Sequence, residues 1–213
     1  PESPVIFTIG PFSALYPVAT KTAALFKSPL SGELGESHAG GRLAMSLREA
    51  GIDALVITGR ADRPSYLAIE NDTVAVKSAS TFWGQSATAT DRILREAESK
   101  TGRKISVVRI GPAGERLSPM ACATVDGSRH FGRLGLGAVL GSKNLKAVVV
   151  SGTKTLPLAK PKEFKEVYDI LYDRVVRSKE MKKYHDLGTA ANVRPLSMIR
   201  GLPTRNFSQG NFE

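Results

Sequence analysis

Two short stretches of the chain put glycine next to side chains that can carry positive charge: His38-Ala39-Gly40-Gly41-Arg42 and Arg129-His130-Phe131-Gly132-Arg133-Leu134-Gly135. Backbone N–H groups reach a phosphate only where no Cβ intrudes, a helix start adds the positive end of its dipole, and a guanidinium fork matches paired oxygens. Both stretches occupy the same kind of frame. Val5-Ile6-Phe7-Thr8 closes on Ile9-Gly10-Pro11, and Val107-Val108-Arg109 closes on Ile110-Gly111-Pro112; the copies end on Ala54-Leu55-Val56-Ile57-Thr58-Gly59 and Ala147-Val148-Val149-Val150-Ser151-Gly152. The chain therefore reads as a duplication, and two equivalent cationic turns suit one ligand with two anionic halves. A single such glycine more often just caps a helix or tightens a turn; its recurrence with the same neighbours favours the binding reading.

Neither stretch is a nucleotide motif of the usual kind. No Gly-Lys-Ser/Thr follows the four-residue gap of a Walker loop, and the Gly132–Gly137 run lacks both a strand directly before it and an acidic residue about twenty positions on, as a dinucleotide fingerprint requires. The 213 residues carry a net charge of +10. That suits an anionic small ligand, an acidic partner chain or nucleic acid; the last is the less favoured, because no basic run interleaves with aromatics on a strand. With Cys122 as the sole cysteine, no intrachain disulfide, four-cysteine zinc site or iron–sulfur cluster can be built from this chain alone. Cys122 lies in an alternating run, Met120 to Val125, which predicts a buried, inert thiol. No apolar run approaches the ~20 residues of a membrane span and no charged-then-apolar leader opens the chain, so the expectation is a cytoplasmic protein without membrane contact. The first residue is Pro1 and both ends read as cut, which suggests a domain excised from a longer protein.

Positioning the two turns requires strands and short helices. Leu43, Leu47 and Ala50 mark one helix face, with Gly51 as its terminator. Ala54–Thr58, apolar on both faces, predicts a central, covered strand. Tyr66–Ile69 and Thr73–Val76 flank Asn71-Asp72 as a hairpin. A hydroxyl from Ser86 onward caps the next helix, whose buried side is Ile93, Leu94 and Ala97. After a linker at Thr155–Pro161, Phe164, Val167, Tyr168, Leu171 and Val175 form the stripe of a long amphipathic helix read as core packing. His185 reads as a surface or capping residue, and Gly201–Phe207 as a loop needing outside support.

The motifs Ile9-Gly10-Pro11, Lys27-Ser28-Pro29-Leu30-Ser31-Gly32, Ala39-Gly40-Gly41, Ala50-Gly51-Ile52-Asp53-Ala54, Ile110-Gly111-Pro112-Ala113-Gly114-Glu115 and the run Gly132–Lys146 resemble the N-terminal domain of the aldehyde:ferredoxin oxidoreductase family, tungsten or molybdenum enzymes with a bis-pterin cofactor. Pro203-Thr204-Arg205-Asn206-Phe207 resembles that family's link into its next domain. The resemblance spans nearly the whole chain, and its most specific part is Gly141-Ser142-Lys143-Asn144-Leu145-Lys146-Ala147. It implies an α+β fold of two pseudo-equivalent halves (about 1–100 and 101–153) forming a saddle-like base, then at 154–213 the linker and start of a helical second domain. By resemblance, Lys21, His38, Gly40, Arg129, His130, Gly132 and Arg133 meet the pterins and their phosphates. A magnesium ion bridging the phosphates would use the backbone carbonyls of His38 and His130. The [4Fe-4S] cluster, the substrate pocket and the contact with ferredoxin would belong to C-terminal domains of the full-length protein, and a homo-oligomer is compatible with the pattern. The implied reaction is oxidation of an aldehyde to a carboxylic acid; the alternatives are reduction of an aromatic thioester or another oxo compound by a divergent member, or a basic nucleic-acid-binding module. The fragment alone is expected to be inactive.

Three positions depart from the family pattern. Lys21 stands where arginine is frequent, keeping charge but not the bidentate fork; His38 replaces a usual asparagine and His130 a usual small residue. No catalytic acid or base is assigned. Glu115 and Asp126 are acidic and near the motifs, and a solvated role is the expectation for both.

Overall fold

The computed structural model describes residues 3–99 and 104–212. The chain divides into two compact units, Pro1–Leu15 with Ala19–Pro157, and Tyr16–Val18 with Leu158–Glu213.

The first unit contains two sheets. β1 (Val5–Ile9), β2 (Thr22–Lys27), β3 (Leu34–Ala39) and, after helix α1 (Leu43–Ala50), β4 (Ala54–Ile57) form a sheet in the order β3-β2-β1-β4, antiparallel throughout. β5 (Ser65–Glu70) and β6 (Thr73–Ser78) make a hairpin turned by Asn71 at φ 52°. Helix α2 (Ala87–Glu98), capped by the Ser86 hydroxyl on the Ala89 N–H at 3.2 Å, leads past the undescribed stretch to β7 (Ser106–Arg109). Then come α3 (Pro112–Glu115), β8 (Ala123–Val125), β9 (Arg129–Phe131), α4 (Leu136–Ser142) and β10 (Leu145–Ser151). The second sheet has the order β6-β5-β10-β7-β8-β9.

Removing β5 and β6 leaves β10-β7-β8-β9, the same order and antiparallel sense as β4-β1-β2-β3. The duplication is thus written in the topology, and the registers align residue by residue. Thr8 faces Ala54, Ala23 faces Thr8 and His38 faces Ala23; likewise Arg109 faces Ala147, Thr124 faces Arg109 and His130 faces Thr124. The Ile9 N–H donates to Asp53 O at 3.0 Å and the Ile110 N–H to Lys146 O at 3.0 Å. The inner faces of both sheets share one core with α1 and α4, including Phe7 and Phe131, whose ring centroids lie 5.4 Å apart.

Several expectations are corrected. The sheets divide between Ile57 and Ser65 rather than near residue 100, because β5 pairs in parallel with the sequence-distant β10. β4 is an edge strand, not a central one, and Val56 is 56% exposed. In α2, Thr90 and Leu94 are buried while Ile93 and Ala97 face outward. Cys122 is exposed: the alternation is real, but Ala121, Ala123 and Val125 take the inward phase.

In the second unit, α5 (Pro161–Val175), α6 (Lys179–Asp186), a single 3₁₀ turn (Gly188–Asn192) and α7 (Val193–Met198) are followed by a loop closed by a Thr204–Gln209 bridge. The α5 stripe is present but does not form a core. Phe164, Tyr168, Leu171 and Val175 are half-buried, Val167 is exposed, and no residue of α5 is buried. Tyr16, Phe164 and Tyr168 contact ring to ring at 5.2 and 6.1 Å. His185 is exposed on α6. No helix of the described residues is long and apolar enough to cross a membrane.

Candidate phosphate and cofactor site

The two glycine turns follow the equivalent strands β3 and β9, and the fold brings them together. A Cβ placed on Gly41, which holds φ +99°, would lie 3.2 Å from Arg129 Cγ and 3.7 Å from an Asp126 carboxylate oxygen. The Arg133 N–H donates to the Ser37 hydroxyl at 3.3 Å, and the Ser28 hydroxyl donates to Leu134 O at 2.9 Å. Ser28 also organises its own turn, accepting from the Leu30 and Ser31 N–H groups. Ser28 was legible in the Ser-Pro-Leu turn; nothing in the sequence singled out Ser37.

The surface formed there is open and cationic. A Cβ on Gly40 would meet nothing within 4 Å, and one on Gly132 only His130 Cβ at 4.0 Å. Lys21, Arg129, His130, Gly132 and Arg133 are exposed, and Lys21, Arg129 and Arg133 have no ion pair with any described carboxylate. Two arginines of the first turn and its helix are committed: Arg42 holds both Glu49 carboxylate oxygens through one terminal nitrogen at 2.9 and 2.7 Å, and Arg48 holds Asp53 at 2.5 Å. Arg42, although part of the first turn, is therefore spent on its own helix. His38, outward on β3, contacts the Glu36 carboxylate through Nε2 at 2.5 Å. Among the described residues no group of three or more His, Cys, Asp and Glu side chains could hold a metal ion. Open backbone flanked by unpaired cations is a donor set that fits phosphate oxygens.

Behind this surface lie buried charges that fix the turns. Asp126, half-buried and not simply solvated, accepts from Arg95 at 2.9 Å, from the Ser106 hydroxyl and from the Val107 N–H at 3.0 Å. Glu115, 5% exposed, is not solvated either; it pairs with the fully buried Lys146 ammonium and accepts the Gly84 N–H at 2.8 Å. Lys146 also donates to Gln85 O at 2.8 Å, and burial pulls its pKa below the ordinary lysine value although Glu115 opposes that. Arg109, 2% exposed, donates to Ala87 O at 2.8 Å and lies 3.2 Å from Asp91. Sequence reading missed these pairs, whose partners are 18 to 31 residues apart.

Two register-matched halves thus bring open glycine backbone and exposed cations together over a shared core. The chain belongs to the aldehyde ferredoxin oxidoreductase family, since residues 1–152 match the model of the aldehyde ferredoxin oxidoreductase N-terminal domain. The tungsten-containing aldehyde ferredoxin oxidoreductase of Pyrococcus abyssi is 37% identical over all of this chain, and that of Pyrococcus furiosus 35% identical over 99% of it. The aliphatic sulfonate oxidoreductase, WOR-like subunit, of Pyrococcus furiosus is 31% identical over 98% of the chain. In each case the chain spans 35% of the relative's length. Among solved structures, the active-site complex BamBC of benzoyl coenzyme A reductase with 1,5-dienoyl-CoA matches at TM-score 0.77 and 32% identity, covering 84% of this chain and 27% of that one. The expected α+β fold of two related halves and the expected family both hold.

Proposed function

We propose that residues 1–153 form the base on which a tungsten bis-pterin cofactor sits in the full-length enzyme, and that 154–213 begin its helical second domain. The observation that carries the reading is the convergence of Gly40-Gly41 with Arg129–Arg133, at register-equivalent ends of two matched strands. When bound, the cofactor supplies two-electron oxo-transfer redox chemistry. Lys21, Arg129 and Arg133 would neutralise its phosphates, Gly40 and Gly132 would let those oxygens approach the backbone, and the carbonyls of His38 and His130 would be equivalent ligands for a magnesium ion. The overall reaction assigned to the full-length protein is aldehyde plus water to carboxylate, with three protons and two electrons released. A [4Fe-4S] cluster, if held by the remaining polypeptide, would supply the route for those electrons to ferredoxin. No residue of this chain is assigned as acid or base.

Reduction of an aromatic thioester is the second reading, supported by the benzoyl coenzyme A reductase neighbour. The two are separated by assaying the full-length protein, purified without oxygen, for dye reduction with aliphatic and aromatic aldehydes and for reduction of benzoyl thioesters with a low-potential donor. Activity with aldehydes alone supports the first reading; activity confined to the thioester replaces it.

A further inference from the structure

The strand registers match the two glycine turns position by position, and the matched positions differ in chemistry. His38 corresponds to His130, so Gly40, Gly41 and Arg42 correspond to Gly132, Arg133 and Leu134. Lys21 and Gly40 are the next residues beyond the facing pair Thr22 and Ala39, as Cys122 and Gly132 are beyond Ala123 and Phe131, so Lys21 corresponds to Cys122. The first turn thus has an ammonium where the second has a thiol, and a glycine where the second has a guanidinium. Arg129, whose Cγ would lie 3.2 Å from a Cβ on Gly41, borders both turns and does not distinguish them.

The surroundings of the turns differ in the same sense. The first half braces the second turn: buried Ser37 accepts the Arg133 N–H at 3.3 Å, and buried Ser28 donates to Leu134 O at 2.9 Å. Gly135 packs so closely that a Cβ there would sit 2.2 Å from Pro119 O and 2.8 Å from Pro29 Cγ. Among the described residues no hydrogen bond from the second half reaches Gly40 or Gly41, and a Cβ on Gly40 would meet nothing within 4 Å. Arg42 is turned to Glu49, with its Nε buried and without a partner, and His38 contacts Glu36. Asp126, which also approaches Gly41, is held by Arg95. Lys21 is left as the first turn's own unpaired cation among the described residues, a point charge without the fork that lets Arg133 take two oxygens at once.

We infer that the two seats are unequal: the turn at 132–135, with Arg133, takes the first phosphate-bearing pterin, and the turn at 40–41, with Lys21, takes the second more weakly. A turn already fixed in place loses little freedom when it binds, whereas an unbraced one is ordered at the expense of its ligand's affinity. A guanidinium fork on a fixed turn therefore outcompetes an ammonium beside a loose one for the same phosphate, and the two-pterin state forms through a state with one pterin on the second half. Ser28 and Ser37 act in this as positioning residues, since they touch the turn and not the ligand. The inference rests on the cofactor reading for the identity of the ligand, but the inequality of the seats holds for any phosphate.

Two measurements on the full-length protein test it. The first uses protein made in a host unable to synthesise the pterin, with inorganic phosphate as the probe. Lys21 is acylated and Arg133 modified with a dicarbonyl reagent, and mass spectrometry follows the protection of each as phosphate rises. Arg133 should be protected at a several-fold lower phosphate concentration than Lys21, and Ser37→Ala should raise the Arg133 midpoint without moving that of Lys21. Equal midpoints, Lys21 protected first, or protection of neither overturns the inference. The second counts pterin in protein purified without oxygen. Lys21 and Arg133 are exposed, so changing either leaves the fold intact, as circular dichroism would verify. Lys21→Gln should keep one pterin and lose the other, Lys21→Arg should keep both, and Arg133→Gln should lose both; equal losses in Lys21→Gln and Arg133→Gln overturn the inference. A parent without pterin would refute the cofactor reading alone, and the phosphate midpoints would still decide whether the seats are unequal.

Discussion

Changing Glu115 to Gln tests whether the buried charges behind the site are placed as described. The substitution keeps the side chain's size and one acceptor for the Gly84 N–H but removes the counter-charge of an ammonium that is 0% exposed. Breaking a buried pair by removing one partner typically costs about 3–5 kcal/mol, since the other charge stays desolvated. At roughly 2–4 °C per kcal/mol for a unit of this size, the melting temperature falls by about 6–20 °C. Trp83, the single tryptophan, lies with its ring 6.0 Å from the Lys146 ammonium, so its fluorescence reports locally while circular dichroism reports globally. The effect depends on pH with a defined sign. Burial lowers the folded pKa of Lys146 below the ordinary lysine value of 10.5, so between the two values the unfolded chain binds more protons and stability rises with pH. Without Glu115 to oppose burial, the folded pKa falls further and this rise begins at lower pH. The deficit of Glu115→Gln should therefore shrink as pH rises from 7 towards 10. A double change, Glu115→Gln with Lys146→Met, should recover much of the loss, leaving about 1 kcal/mol for the unpartnered Gln85 carbonyl. A variant melting within 2 °C of the parent, or a deficit independent of pH, would refute the buried-pair reasoning.

Gly135→Ala should destabilise more than an ordinary surface change, because at φ +82° its Cβ would sit 2.2 Å from Pro119 O and 2.8 Å from Pro29 Cγ; chemical denaturation would read a loss above ~3 kcal/mol. Gly41→Ala should cost about 1–2 kcal/mol through its positive φ and, by displacing Arg129, lower pterin retention in the full-length enzyme; retention equal to the parent's would remove Arg129 from the site. Tyr66 is held well above the ordinary tyrosine pKa, first by burial and then by the adjacent Glu98 carboxylate. In a spectrophotometric titration one of the five tyrosines should therefore ionise well above the ordinary tyrosine range; five tyrosines titrating together would contradict the packing of Tyr66.

What could be read from the sequence was local or periodic. The Leu43–Ala50 helix with its glycine terminator, the Asn71-Asp72 hairpin and the Ser86 cap each depend on a few neighbouring residues, and each is present. The duplication was legible because strand, turn and helix recur in order. Its boundary was not, since assigning β5 and β6 to the second sheet depends on a parallel pairing with β10 about eighty residues away. The two-faced apolar character of β4 gave no sign that it ends the sheet as an edge strand with Val56 exposed. A stripe such as that of α5 states which face wants burial, not what buries it. Likewise the acidity of Glu115 and Asp126 could not disclose Lys146 and Arg95, whereas the pairing of glycine with basic residues located both turns of the site.

The central claim is that the two turns hold a two-headed metal–pterin cofactor, and the most direct measurement is the tungsten, molybdenum and pterin content of the full-length protein purified without oxygen, alone and as Arg129→Ala with Gly132→Val. The account predicts one metal and two pterins per polypeptide in the parent and loss of both in the variant, with the fold retained by circular dichroism. A parent without metal or pterin that binds DNA or RNA with steep salt dependence, or a variant that keeps its full complement of cofactor, would contradict it.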